Sequence, residues 1–576
     1  MSRDDPDYSP ETGPLILQAR SPRGNPAAGL VPFANIGTLL RTRAGEHPGK
    51  VWLIHEPDQP DEKGRGYTYE EFYGLAARTA NYLAGLGIGR GDRVATISYN
   101  HFDTVVQYFA IFLIGAVAVP VNVGEDDRRI GYILRDSRAK LAFVRDLFVD
   151  RVRKIPEAAG IRTIVRVSPG PQGPGEGLPE FHREIAKQLP EIRPQEEARP
   201  EDEALLVYTS GTTGNPKGVV LTQYNLLIDA RAIAEWHGMT PDQRMMCVLP
   251  IHHVNGIVVT LMTPLYYGGS VVLNRKFHTE SFFPRIAAAG VHVVSVVPTL
   301  LQFLLRESPG AGGQDLSHFR HIICGAGPLT VELAKRFEDR FKIPVIHGYG
   351  LSETTCYSCF LPVGLTPAEH GHWMNDFGFP SIGVPLPPNE MAIHDGNGVE
   401  QPEGTRGEIV IRGHNVMKCY YGNPEANASS FAHGWFRSGD EGFYRTGPDG
   451  RMFFFITGRI KELIIRGGTN ISPFEIDEVL MQMPGVKAGL AVGFENDWYG
   501  EEVGAYIQPD GVTPLSEKDV IDYCRRFFPF QKCPKVVVFG DDIPVTSTGK
   551  YQRGKLRPLF GKWKADQFSE SKRDRE

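Results

Sequence analysis

From residue 67 onward the chain alternates helix-period and strand-period segments, and that rhythm leaves few folds open to it. Residues 69–86 carry apolar side chains at helical spacing, 93–98 form a short apolar run, 102–114 are helical again, 116–121 read as a strand and 128–137 as a further helix. Strands at 140–144 and 163–167 continue the series. Strands separated by helices predict βαβ units and a parallel sheet. After a Pro/Gly/Glu-rich connection over 168–200, the grammar returns with strands at 245–249, 269–273, 293–297, 321–325 and 345–348 and helices at 299–306 and 331–341, which suggests two similar α/β layers in tandem.

Residues 404–413 and 435–456 change character to short strands and Gly turns, a smaller β-rich unit. A helix at 472–482 and strands near 490–492, 504–507 and 536–539 then read as a separate α+β domain of roughly one hundred residues. The expected organisation is a loosely ordered lead-in over 1–34, a large region over 35–458, a small domain over 459–565 and a tail over 566–576.

The strand-like run ending at Tyr208 leads into Thr209, Ser210, Gly211, Thr212, Thr213, Gly214, Asn215, Pro216, Lys217 and Gly218. Glycines allow close backbone approach to a ligand, hydroxyls donate hydrogen bonds and Lys217 supplies positive charge, so the loop suits phosphate. An ordinary Gly/Ser/Thr surface loop is the plain alternative. A nucleotide triphosphatase P-loop requires Gly-Lys followed by Ser or Thr at the start of a helix. Here Lys217 follows Pro216 and precedes Gly218, and the match fails at the position that would hold magnesium.

Three further constellations carry chemistry. His347, Gly348, Tyr349, Gly350, Leu351, Ser352 and Glu353 follow an apolar strand and combine an aromatic face, a hydroxyl and a carboxylate able to ligate magnesium. Asp440 suits a ribose diol, and Arg459 can donate to the same diol. Lys550 stands on a small-residue loop that begins at Pro544. Each alone also fits a turn or a solvated surface.

In this order and at these separations, the four motifs closely resemble the adenylate-forming superfamily of acyl-CoA synthetases, luciferases and peptide-synthetase adenylation domains, over about residues 35–560. The resemblance implies two α/β lobes plus a β-rich lobe, with a small mobile C-terminal domain. It places ATP phosphates on Thr209 to Lys217 and adenine beside Gly325, Ala326, Gly327, Pro328, Gly348, Tyr349 and Gly350. It gives Ser352 a phosphate contact, Glu353 the Mg2+ ion, Asp440 and Arg459 the ribose, Lys461 the domain hinge, Gly467 and Gly468 a channel for CoA, and Lys550 catalysis of adenylation. The implied reaction joins a carboxylic acid to AMP with release of pyrophosphate, then transfers the acyl group to CoA.

The acyl pocket is expected at His253, Val254, Asn255, Val297, Thr299, Cys324 and Ala326, with His252 departing from the aromatic common in relatives. No Asp in this stretch pairs a substrate ammonium, which argues against an amino-acid-activating domain. Acetate-specific relatives close the pocket with Trp where Gly350 stands here, so a medium-chain, branched, alicyclic or aromatic acid is expected. A ligase with another acceptor, and a non-catalytic nucleotide or acyl binder, are the alternatives.

A formal charge of −6 gives no basic excess for a nucleic-acid or membrane partner, and the first thirty residues do not read as a secretory signal. Seven scattered cysteines, including the pair Cys356 and Cys359, form no disulfide framework, so a reducing cytoplasm is expected for a monomer or homodimer.

Overall fold

The computed structural model describes residues 9–23, 29–56, 64–168, 177–192, 197–209, 215–308, 310–545 and 551–569. Among these, four sheets organise the chain. One contains parallel neighbours in the order Val345–Tyr349, His321–Cys324, Val293–Val296, Arg244–Cys247, Ser270–Asn274 and Val51–Glu56. The second centres on the parallel strands Glu203–Tyr208, Val117–Asn122, Arg93–Ser98, Leu141–Arg145 and Thr163–Val167.

The expected tandem arrangement is corrected in one respect. Val51–Glu56 precedes every strand of the second sheet, yet pairs in parallel with Ser270–Asn274 in the first, so the two layers interlock. Helices lie between them. Phe102–Leu113 is buried at every position, as a mostly apolar helix between two sheets must be, and its one charge, Asp103, is paired with Arg145 at 2.7 Å. Its Phe109 packs on Trp52 of the first sheet at 5.4 Å, the helices Tyr69–Gly85 and Ile36–Glu46 lie against it, and it also touches Arg93–Ser98 and Val117–Asn122 of the second sheet. Gln223–Trp236 and the π-helical Asn255–Met262 occupy the same layer.

Local capping signals start two of the helices, the expected one at Tyr69–Gly85 and one at Gln223–Trp236 that the sequence reading did not name. Thr68 and Glu71 form a reciprocal capping box before Tyr69–Gly85, and Thr222 and Asn225 form another before Gln223–Trp236. Asn225 also donates to the carbonyls of His414 (2.8 Å) and Val416 (3.1 Å), which ties this helix to the segment leaving the β-rich lobe.

That lobe is an antiparallel sheet in the order Asn389–His394, Gly407–Gly413, Phe436–Thr446 and Met452–Arg459. The tail packs Pro473–Gln482 on Val486–Asn496 and Gly500–Pro509, with Val536–Phe539 added in parallel. Within the N-terminal stretch expected to be loosely ordered, Thr12–Ala19 forms a helix whose Ile16 and Ala19 are buried against the β-rich lobe. Two apolar residues one helical turn apart give it a face to bury, despite the Pro/Gly content around it.

Candidate functional site

Glu203–Tyr208 and Gly218–Thr222 pair antiparallel with Tyr208 opposite Gly218, and Thr209 N donates to Lys217 O at 3.0 Å. The expected phosphate loop therefore closes a hairpin, a second departure from the strand-loop-helix of a P-loop. Ser210, Gly211, Thr212, Thr213 and Gly214 lie outside the described residues. Lys217 is described, with its ammonium 4.6 Å from the centroid of the Tyr420 ring.

Tyr420 links this lysine to the expected magnesium carboxylate. It sits on the two-residue strand Cys419–Tyr420, which pairs with the hairpin opposite Val219, and its hydroxyl donates to Glu353 Oε1 at 2.7 Å. Asn427 grips its backbone on both sides, accepting from Tyr420 N and donating to Tyr420 O. Burial and the neighbouring Glu353 push the Tyr420 phenol well above its ordinary pKa, so it remains a neutral donor. Sequence reasoning missed Tyr420, because a lone tyrosine on so short a strand carries no pattern.

On the β-rich lobe, antiparallel register sets Asp440 opposite Arg459. Arg459 Nε is 2.7 Å from Asp440 Oδ1, and Tyr349 donates its hydroxyl to Oδ2 at 2.6 Å. Asp440 is fully buried, yet Oδ1 has no aligned hydrogen-bond donor despite the close guanidinium, which leaves an acceptor for a ligand hydroxyl. Asp440 in turn pushes the Arg459 pKa upward, while burial, then Asp440, does the same to Tyr349. Three residues predicted from two distant motifs thus meet in one cluster.

The loop bearing Ser352 and Glu353 is strained. Ser352–Thr354 is one 3-10 turn, after which Thr355 adopts φ +62°, ψ −56° while Cys356 N donates to Thr354 O at 2.6 Å. This is a γ-turn of the rare positive-φ hand, on a β-branched residue. Neighbours hold it: Thr355 Oγ1 donates to Asn415 O at 2.5 Å, Asn415 Nδ2 to Tyr357 O at 2.8 Å, and Met417 N to Glu353 O at 2.8 Å. Behind them Asp229, fully buried, accepts from Tyr357 N at 3.3 Å and Asn415 Nδ2 at 3.4 Å, and burial raises its pKa well above the usual carboxylate range. Ala326, in the expected adenine-side stretch Gly325 to Pro328, is a second non-glycine residue with positive φ, at +62°.

The expected acyl residues Val254, Asn255, Val297 and Cys324 are all buried, and His253 is partly so. Asn255 opens the π-helical segment, a helix form frequent at functional sites, accepts from Ser295 Oγ at 3.0 Å and donates to the Tyr357 hydroxyl at 3.3 Å. His252 packs 4.4 Å from the His253 ring, and burial drives its pKa well below the ordinary histidine value.

The room expected from Gly350 is not there. A Cβ at Gly350 would lie 1.8 Å from Cys356 O, so the glycine is required by the backbone of the γ-turn loop. Gly348 and Gly325 face filled space as well: a Cβ would meet Phe360 Cδ1 at 2.3 Å in the first case and the Tyr357 hydroxyl at 2.6 Å in the second. Tyr357, another residue the sequence reading passed over, occupies the volume that these glycines yield.

In the small domain, Lys550 lies outside the described residues. Val545 bridges to Tyr551, whose hydroxyl donates to Gln302 at 3.4 Å, on the helix Pro298–Glu307 that follows Val297. Glu478 of the same domain caps the helix Val331–Phe341, accepting from Val331 N and Glu332 N at 3.1 Å each. Lys461 is exposed on the single turn Ile460–Glu462 between the two domains' sheets. Gly467 and Gly468, both with positive φ, form the exposed two-residue turn between Ile464–Arg466 and Thr469–Ile471.

The model of the AMP-binding enzyme family matches residues 40–421, and that of the AMP-binding enzyme C-terminal domain matches 475–550. The chain belongs to the AMP-binding enzyme family. A sulfoacetate–CoA ligase of Cupriavidus necator is 34% identical over 91% of this chain and 97% of its own, and an oxalate–CoA ligase of Arabidopsis thaliana is 33% identical over 84% and 92%. The crystal structure of the anthranilate CoA ligase AuaEII in complex with anthranoyl-AMP superposes with a TM-score of 0.81, at 25% identity, over 93% of this chain and 99% of that one. The activity class is accordingly that of an AMP-forming acid–CoA ligase, with a carboxylic acid, ATP and CoA as substrates.

Proposed function

We propose that the Asp440, Arg459 and Tyr349 cluster holds the nucleoside of ATP while Lys217, Ser352 and Glu353 meet its phosphates. The observation that carries this is the buried Asp440 with Oδ1 open beside Arg459, in hydrogen-bond contact with the tyrosine expected to stack on adenine. A carboxylate attacking the α-phosphate brings two anions together, so cations must be preplaced at both. Lys550 bridges the substrate carboxylate and the α-phosphate, and Lys217 faces the departing pyrophosphate.

Glu353 fits a magnesium ligand. It gives Oε1 to Tyr420, and no group of three or more His, Cys, Asp or Glu at metal spacing accompanies it among the described residues. One carboxylate with phosphate and water oxygens is how Mg2+ is commonly held, and the ion would supply charge neutralisation at the pyrophosphate.

Rotation of the small domain about Lys461 then withdraws Lys550 and brings Gly467 and Gly468 to the acyl site, where a thiol-bearing arm passes close to backbone. None of the seven cysteines is in a disulfide, and burial raises the thiol pKa of both Cys356 and Cys359, which fits inert thiols in a reducing cytoplasm. The test is pyrophosphate release with a panel of carboxylic acids, with and without CoA. Release that needs an acid, with acyl-CoA formed when CoA is added, is expected; no release with any acid would sink the reading.

A further inference from the structure

We infer that Tyr357 is the floor of the acyl pocket and restricts the enzyme to small carboxylic acids whose far end carries a hydrogen-bonding group, an inference that rests on the acid–CoA ligase reading above. The first support is volume. Tyr357 is 2% exposed, and its ring lies 4.3 Å from that of Phe360. Together they fill the space under Gly325 and Gly348, which in a pocket for a large acyl group would be left empty. The ring is wedged against Phe360, and its hydroxyl accepts from Asn255 Nδ2 at 3.3 Å. Its backbone is fixed on both sides, N donating to Asp229 and O accepting from Asn415, immediately after the strained turn at Thr355.

The second support is polarity. The expected lining of Val254, Val297, Cys324 and Ala326 is apolar, but its far wall is the triad Ser295, Asn255 and Tyr357. An asparagine amide offers two donors and two acceptors. Among the described residues Asn255 uses one donor, to Tyr357, and one acceptor, from Ser295. The other donor and acceptor remain for a ligand. In the same stretch the Nε2 of His252 is buried with no hydrogen-bond partner among the described residues. An alkyl terminus pushed against this wall would leave those groups desolvated and unpaired, which is costly. A hydroxyl, amide or second acid group would satisfy them.

Selectivity between sizes and selectivity between polar and apolar termini therefore reside in one residue and separate by mutation. The experiment measures kcat/KM for acid-dependent pyrophosphate release with malonate and 3-hydroxypropionate against hexanoate and cinnamate, in the wild type, Tyr357→Phe and Tyr357→Ala. The wild type should favour the small polar acids by about 100-fold or more. Tyr357→Phe should keep the large acids out while losing about tenfold on the small polar ones. Tyr357→Ala should raise kcat/KM for hexanoate or cinnamate by about tenfold or more, because it opens the floor. A cooperative thermal unfolding transition close to that of the wild type serves as the folding control, and Tyr357→Phe keeps the test alive if the alanine variant is unstable. A wild type that prefers hexanoate or cinnamate, or a Tyr357→Ala variant with an unchanged ranking and a cooperative unfolding transition, overturns the inference and leaves the ligase reading standing. No pyrophosphate release from any variant with any acid overturns both.

Discussion

Around Asp440 the chain places a fully buried carboxylate in direct contact with a guanidinium, whereas around Asp229 it buries another carboxylate with only two long hydrogen bonds and no ion-pair partner among the described residues. The first lies on the nucleotide side of the site and the second behind the acyl side. Charge on the nucleotide side is paired and presented to a ligand. On the acyl side it is suppressed, and geometry is held by packing, a strained turn and neutral hydrogen bonds. A ligand that arrives as a polyanion needs the former, while a pocket that discriminates shape needs the latter.

The largest effect should come from removing the charge that the two sides share. Lys550→Ala should lower acyl-AMP formation by about 10^3-fold while sparing thioester formation from supplied acyl-AMP, because the lysine is needed only where carboxylate meets α-phosphate. Equal loss of both half-reactions would reject that role. Asp440→Asn keeps the shape but removes the charge facing Arg459 and weakens the diol acceptor, so KM for ATP should rise by about 100-fold with KM for the acid nearly unchanged. Isothermal titration with ATP checks this directly. A parallel loss of acid affinity would show that the two sides are not separable.

Smaller effects refine the division. Tyr420→Phe deletes the hydroxyl that orients Glu353 and should cost about tenfold at limiting magnesium, with partial recovery at high magnesium. Magnesium titration of the rate would expose an unchanged dependence. Glu478→Ala removes the carboxylate with which the small domain caps the helix Val331–Phe341, so adenylation should fall by a few fold, in keeping with a cap worth about 1 kcal/mol. Thioester formation from supplied acyl-AMP should be untouched, and single-turnover kinetics distinguish the two steps.

The nucleotide side was legible because its residues are charged or aromatic and fall in short motifs: Tyr349, Asp440 and Arg459 could each be named before their contacts were known. So were the helix Tyr69–Gly85 with its capping box and the strands of the parallel layers other than Val51–Glu56, whose bounds shift by only a residue or two, whereas the equally well capped Gln223–Trp236 went unnamed. What the sequence hid depends on distant pairing. Val51–Glu56 joins a sheet whose other parallel strands begin near residue 244, and no local pattern records that register. Gly350 looked like open space, since a missing side chain has the same letter whether it faces a cavity or a carbonyl oxygen 1.8 Å from where a Cβ would be. Tyr357 and Tyr420 acquire their roles only from distant neighbours, Asn255 at 102 residues and Glu353 at 67 residues respectively.

Asp229 gives the finest test of the comparison, because its contribution to stability runs opposite in sign to that of a paired acid. Burial raises its pKa in the folded protein, whereas in the unfolded chain it titrates near the ordinary value of about 4. Below that value both states hold the proton and the burial costs nothing extra. As pH rises above it, the unfolded chain releases a proton that the folded protein keeps, so stability falls by up to about 1.4 kcal/mol per pH unit until the folded-state pKa is reached. Asp229→Asn cannot titrate, and it preserves the size and the acceptor that Tyr357 N uses. Its melting temperature relative to the wild type should therefore become more favourable between pH 5 and pH 8, with acid-dependent activity changed by no more than a few fold. Parallel melting curves across that range would mean that the carboxylate is compensated after all, and that the acyl side, like the nucleotide side, is built on paired charge.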